Sequence, residues 1–586
     1  MEQQIRQQTD IPTTNQPIVE TKTTERSAFA STDTQEQGSS HTAAAQIPGS
    51  FPPPAAHNRN SPYTSGPSAY MPKPETIYTQ QLKEHFSFFG IGSLLYAIFY
   101  TFCLYKNASG ITYPFFVAGT LFYFFFSMQK LGVPYKKSSI FYLISIQLLG
   151  ISNCLTDSPQ LLFFNKCGTF LLAAILMLHT TYNDKNWNLP KYITACFQII
   201  GTALSCLFRP FADMVSYFDL QKKNKTSKKS YFLPVLIGIV ITIPLLLFVT
   251  VLLASADAVF AEIFSRILEA INLNTIFGIL CMIIVVFFCS YTVFAALAMK
   301  NIKEETTDHR ILEPIIAIII TSALCALYLI FSVIQILYLF MGSMKLPEGY
   351  TYSSYAREGF FQLLVVCILN LIIVLICLYF FRENIVLKVL LSILCGCTFI
   401  MILSSALRML MYINRYNLTL LRILVLWALA VIFLFMMGVA VFIYKNSFPL
   451  FPYGIAVVTI FYIGLSFSHP DYWIARYNLD PKHLTYLDDY DIHDNQNYLS
   501  TLSADAAPVL LNDKINFYIA DINEWIREDG LPQSYDEIDA YLNREKGDVE
   551  QLSWMRLYYL KIQELAEEMH VRNFNFSIYT ARQYLW

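Results

Sequence analysis

Charged side chains are scarce in this chain. Only 14% of its 586 residues are Asp, Glu, Lys or Arg, where soluble proteins carry roughly 25%. With 55% hydrophobic residues and a mean hydropathy of +0.43, that shortage excludes an ordinary wetted globular surface. Cysteine is confined: all twelve lie between Cys103 and Cys397, inside or beside apolar runs. Only Cys395 and Cys397 are close, and that spacing on a helix points the thiols apart. They read as small apolar residues, so no disulfide or metal framework is expected. Residues 1–80 lack an apolar h-region, so no cleavable signal peptide is expected and insertion starts from the first span.

The chain also lacks the common signatures of catalysis. It contains no H-E-x-x-H, no Gly-rich P-loop, no G-x-S-x-G and no paired zinc ligands. Its nine histidines are scattered, and only His179 approaches a span. No catalytic residue, metal ligand or cofactor is therefore assigned, which leans against an enzyme. No basic patch carries interleaved aromatics, so nucleic acid is not an expected partner.

What is present is a succession of apolar runs. A bilayer core about 30 Å thick takes about 20 residues of helix. Runs of that order recur at about 86–105, 111–128, 139–155, 161–180, 232–254, 275–299, 313–341, 359–381, 385–407, 419–443 and 450–468. The fold class is all-α: a polytopic transmembrane helical bundle of about 11 spans (10–12). The run 191–208 is ambiguous, being barely long enough and ended by Arg209-Pro210. Lys130, Lys136 and Lys137 place one loop in the cytoplasm, and Lys222, Lys223, Lys225, Lys228 and Lys229 place another there. The loop at Thr156-Asp157-Ser158-Pro159 has no Lys or Arg and should face out. These agree only if 191–208 lies on or dips into the inner face. A cell-membrane protein with its N-terminus inside and its C-terminal domain outside follows.

Three domains are expected. Residues 1–80, rich in Gln, Thr, Ser and Pro, read as a disordered tail. Residues 81–469 form the membrane domain, and 470–586 a small acidic helical soluble domain that packs on the bundle or on a protein partner. Within it, Leu499–Leu511, Lys514–Glu528 and Asp548–Met569 look helical, and Ser534 with Glu537 forms a capping box. Residues 255–274 read as an amphipathic interfacial helix.

The polar residues among the spans gather between Tyr355 and Arg422. On a helix turning about 100° per residue, Tyr355, Glu358, Gln362 and Asn370 fall within roughly a 120° arc. Arg408, Arg415 and Arg422 recur at seven-residue spacing, with Tyr412 and Thr419 beside them. Asn414 and Asn417 mark a turn, so Arg408 and Arg422 are expected at facing ends of two antiparallel helices. A charge at the centre of a span costs about 2.5–3.5 kcal/mol on insertion scales and less near its ends. Arg357, Glu358 and the three later arginines are therefore expected to share an outer polar site. Its net positive charge would attract an anionic small ligand or lipid headgroup. The alternative is that these residues snorkel and anchor helix ends.

Several stretches carry a family resemblance: Leu253 to Phe260, Tyr355-Ala356-Arg357-Glu358-Gly359-Phe360-Phe361-Gln362-Leu363, Arg408 to Arg422, His469-Pro470-Asp471 with Ile474 to Asn478, and Leu502-Ser503-Ala504-Asp505-Ala506. On these the chain resembles a bacterial family of multi-spanning integral membrane proteins of unknown function, of the DUF 4153/4173 type. The resemblance implies a membrane protein and supplies no activity. The reading it leaves is a binding, sensing or scaffold protein. The alternative is a transporter or a lipid or solute carrier, its path lined by the 355–381 and 385–443 helices.

Overall fold

The computed structural model describes residues 75–107, 109–223, 232–257, 259–260, 262–263, 273–305, 309–337, 352–480, 482, 489–512 and 550–585. For 352–358 this holds for the backbone only. The tail 1–74, the capping box at Ser534, the 514–528 helix and most of the 255–274 segment lie outside the described residues. Among the described residues there is no strand, and helix dominates. This is the physical solution for a chain in hydrocarbon, where each backbone N–H and C=O must bond within its own segment.

The helices are, in chain order, α1 Ile77–Glu84, α2 Phe86–Leu104, α3 Thr112–Lys130, α4 Ser139–Leu155, α5 Pro159–Thr181, α6 Leu189–Ser205, α7 Arg209–Lys223, α8 Phe232–Ala256 and α9 Leu273–Met299. Then follow α10 Pro314–Gln335, α11 Tyr352–Phe380, α12 Ile385–Arg415, α13 Leu420–Tyr444, α14 Leu450–Phe467, α15 Pro470–Asn478 and α16 Asp489–Thr501. A 3-10 turn at Ala504–Ala506 leads to α17 Ala507–Leu510, with α18 Glu550–Glu567 and α19 Phe576–Arg582 closing the chain. Their starts follow local chemistry. Proline in the first turn opens α5, α6, α10 and α15, where its missing N–H costs nothing. Asn188 and Asn384 cap α6 and α12 through their side-chain oxygens.

Among the described residues, eight helices meet the length and hydropathy needed to cross a membrane, or nine if the bent pair α6–α7 counts as one span. The chain is a multi-pass membrane protein, and the expected count of about eleven is approximate. The 17-residue α4 is apolar but shorter than that standard. Two expected boundaries move. Helix α1 begins at Ile77, inside the stretch read as a disordered tail. The helix expected over 499–511 is broken at Leu502-Ser503, just ahead of the 3-10 turn.

Contacts sort the connections onto two faces. On one, the Lys136 ammonium binds the carbonyls of His179 and Tyr182 at the end of α5. Ser138 Oγ lies 2.7 Å from His179 Nε2, and His179 Nδ1 lies 2.6 Å from the buried Asp184 carboxylate, which also receives the Tyr192 hydroxyl. The Trp187 indole donates to Glu304 O (3.1 Å), while Cys206 Sγ lies 3.5 Å from Met299 Sδ. Both ends of α6 therefore stand beside the same end of α9. Helix α7 turns away at 64°. Farther along this face, Glu383 takes Arg310 and Lys388 at 2.6 Å each. An isolated bridge between Leu312 and Phe381 ties the start of α10 to the end of α11. We call this the basic face.

The opposite face carries the α2–α3, α4–α5 and α12–α13 connections, the end of α14, and everything from α15 on. Ile111 N bonds Phe574 O (2.8 Å) and the Arg572 guanidinium bonds Tyr105 O (2.7 Å). The Asn575 amide donates to Thr156 O (2.9 Å). One apolar cluster unites Leu420, Ile474, Leu499, Leu510, Trp554 and Tyr558. Within the bundle, α10–α13 share a second cluster and α2–α5 with α9 a third. All twelve cysteines are free.

Candidate functional site

Helix α12 is 31 residues long. At 1.5 Å per residue its Arg408 lies about 35 Å from its start on the basic face, just past a core of about 30 Å. Gly359 of α11 comes to the same level from the other direction. There the Arg408 side chain is buried, at 6% exposure. One of its terminal nitrogens donates to Gln335 Oε1 at 3.2 Å, which also receives the Ser404 hydroxyl at 2.6 Å. Ser405 Oγ donates to Phe360 O (3.2 Å). The guanidinium fits because residue 359 is glycine. A Cβ there would stand 2.1 Å from Arg408 Nη1. Arg408, Gly359, Gln362, Leu363 and Phe331 line a groove of about 460 Å³.

The turn expected at Asn414 and Asn417 is present: α12 stops at Arg415 and α13 starts at Leu420. Across it, the Arg422 guanidinium lies over the Tyr412 ring, 4.2 Å from its centre, a cation–π distance. Tyr412 in turn stacks on Phe360, 6.0 Å between centres, beside the Arg408 groove. Arg415 is exposed, with Tyr416 at 5.9 Å. Thr419 occupies the N-cap of α13 without a side-chain cap. Asn478 of α15 fixes the turn, accepting from Leu418 N (2.8 Å) and donating to Leu418 O (3.0 Å). The Tyr498 hydroxyl accepts from Leu420 N (2.9 Å), and the Tyr477 hydroxyl donates to Asn414 Oδ1 (3.2 Å).

Of the residues expected at this site, Arg408 and Gln362 meet in the groove, and Tyr412 with Arg422 flanks it. Asn370 lies deeper, fully buried; its Nδ2 donates to Thr398 Oγ1 (3.0 Å) and its Oδ1 has no protein partner. The side chains of Tyr355, Arg357 and Glu358 lie outside the described residues. The sequence reading missed Gly359 and Gln335, whose roles depend on contacts between helices.

It also missed a carboxylate cluster where the terminal helices meet the bundle. Asp505 accepts from Thr156 Oγ1 (2.5 Å), Asp157 N (3.3 Å) and the Ser577 hydroxyl, and lies 3.3 Å from His469 Nδ1. Asp471 accepts from Ser503 N (3.2 Å) and Ser503 Oγ (2.6 Å). Asp157 accepts from Ala504 N at 3.4 Å. The Tyr558 hydroxyl donates to Ser503 O (2.7 Å), and Lys561 Nζ to the carbonyls of Thr501 (3.0 Å) and Leu502 (2.8 Å). Burial raises Asp157 to about 6 and raises Asp471 as well. The bond to Asp505 raises His469, while burial lowers Lys561. His469 has a left-handed backbone (φ 49°) immediately before the proline that opens α15, a conformation uncommon outside glycine. No group of three or more His, Cys, Asp or Glu among the described residues could hold a metal ion.

The domain of unknown function DUF4153 matches residues 143–512. The chain belongs to this family. The DUF4153 span contains the groove, the arginine turn and all three aspartates, while Lys561 and Ser577 lie beyond it. No curated protein and no solved structure matches the chain. The DUF4153 match therefore adds membership without an activity, and the site's chemistry is argued from its own residues.

Proposed function

We propose that this integral membrane protein binds an anionic group, a phosphate or carboxylate, at the Arg408 groove and acts as a binding or sensing protein rather than an enzyme. The observation that carries this reading is the buried guanidinium on the wall of a groove. The Gln335 carbonyl oxygen holds this guanidinium in place against the groove, so an oxyanion entering there would meet a cation already oriented. Arginine's planar fork suits bidentate recognition of oxyanions. Arg422 over Tyr412 adds positive potential at the rim. A carrier reading needs a polar path through the α11–α12 interface. Asn370 is instead fully buried, with Thr398 Oγ1 and Met401 Sδ beside its Nδ2, which supports binding over transport.

We further propose that the basic face is cytoplasmic, so the groove and terminal helices face outward in the cell membrane. The Lys/Arg bias of the loops supports this. A reporter fused in the lysine-rich segment at Lys225 is expected to report cytoplasm, and an extracytoplasmic signal there would reverse the orientation.

Two probes test the groove on the purified full chain. Inorganic phosphate is titrated in detergent, and nanodiscs of phosphatidylcholine are compared with nanodiscs containing phosphatidylglycerol. Binding in either arm that falls about tenfold or more in Arg408→Gln is expected. Phosphate binding alone identifies a soluble ligand, and phosphatidylglycerol dependence alone a lipid headgroup. Binding in neither arm, or unchanged binding in Arg408→Gln, contradicts the reading.

A further inference from the structure

The arginine turn is built into the same scaffold as the carboxylate cluster. Helix α15 opens with Pro470 and Asp471, directly after His469, and ends with Asn478. His469 binds Asp505 and Asp471 binds Ser503; Asn478 binds both backbone groups of Leu418. The 3-10 turn carrying Asp505 is in turn covered by α18 and α19 through Tyr558 and Ser577. A change at the cluster thus has a short, continuous route to the turn between Arg415 and Arg422.

We infer that His469, Asp157, Asp471 and Asp505 form an acid-closed latch, which docks α18–α19 on the bundle in acid, loosens it as pH rises, and conveys this through α15 to the arginine turn. The last step rests on the anion-binding reading above; the docking does not.

Each element packed here contributes a group that faces the cluster. The α4–α5 connection brings Asp157, the α14–α15 junction His469 and Asp471, and the 3-10 turn Asp505. Helix α18 brings Tyr558 and Lys561, and α19 the uncharged Ser577. The signs follow from linkage. Burial in the folded cluster raises the proton affinity of Asp157, so its contribution is present in acid. It fades as pH climbs from the ordinary carboxylate value through about 6. Asp471 behaves likewise. Protonated His469 holds Asp505, on which Ser577 of α19 sits, so this support is full below the ordinary imidazole value and is lost as pH rises through the raised one. All three favour docking in acid. Lys561 runs the other way, favouring docking as pH rises toward the ordinary lysine range.

Hydrogen exchange over 554–582 in the full chain, corrected for intrinsic rates, reads the latch directly. Protection is expected to fall at least about fivefold between about pH 5.5 and about pH 8; a single shifted group supplies up to about tenfold per unit. Asp157→Asn mimics the protonated carboxyl, and His469→Gln removes the titrating imidazole. Each is expected to flatten the slope while thermal unfolding of the bundle stays within a few degrees. Equal wild-type protection at both pH values, or a full slope retained in both variants, overturns the latch. Phosphate titration of the wild type at the same two pH values separates the readings. A pH-dependent dock with no phosphate binding at either pH removes the anion site and leaves the latch. A phosphate affinity that holds steady while the dock changes removes the coupling.

Discussion

At residue 359 a missing methyl group decides where a charge can sit. Glycine's usual role in a helix is a weakness, costing roughly 1 kcal/mol against alanine. Here that penalty is outweighed, because any Cβ would occupy the place of Arg408 Nη1. Gly359→Ala is expected to displace the guanidinium and destabilise the bundle by about 1–3 kcal/mol. Thermal denaturation in detergent checks this; a stabilised variant would contradict the contact. Asn370 presents the reverse case. Its Oδ1 is fully buried without a protein partner, which costs about 1–3 kcal/mol. Asn370→Leu keeps the volume and removes the orphan, so a neutral or raised melting temperature is expected. A large loss of stability would show that the carbonyl has a partner the apolar surroundings conceal.

Among the elements, the turn between α12 and α13 is the most informative. The sequence predicted it from Asn414 and Asn417, between the apolar runs 385–407 and 419–443, and α12 does end at Arg415. What holds the turn was not legible. Asn478, sixty residues away, satisfies both backbone groups of Leu418, and no local pattern announces such a pairing. Asn478→Ala is expected to cost about 1–3 kcal/mol by leaving those groups unmet, and to raise hydrogen exchange at 416–420 before it rises within α12. Uniform loss of protection along the helix would place the effect elsewhere. The same distinction runs through the site. Span positions, the ambiguous 191–208 segment and the Arg408–Arg422 register follow from hydropathy and period, which are properties of neighbours in sequence. Asp157 read as part of an outward loop, Asp471 stood only in a stretch carrying the family resemblance, and Asp505 lay in a segment read as helical. Their meeting needs α4, α15 and the 3-10 turn to be stacked first, and only the folded chain does that.

For the molecule as a whole, the division between a basic face and a face that gathers arginine, carboxylates and the terminal helices is the organising fact. Charge is scarce in the sequence, and among the described residues of the bundle it is concentrated at helix ends and in the connections on these two faces. That arrangement is what hydrocarbon permits: ionised groups near the boundary, matched to partners, with apolar clusters between. The central claim is that Arg408 is kept in this setting to hold an anion. Native mass spectrometry of the full chain, extracted in mild detergent from its own membrane, tests it most directly. The account predicts a phosphate-bearing or carboxylate-bearing adduct on the wild type that is lost in Arg408→Gln and kept in Arg415→Gln. Identical adducts on all three proteins, or none on the wild type, would contradict it.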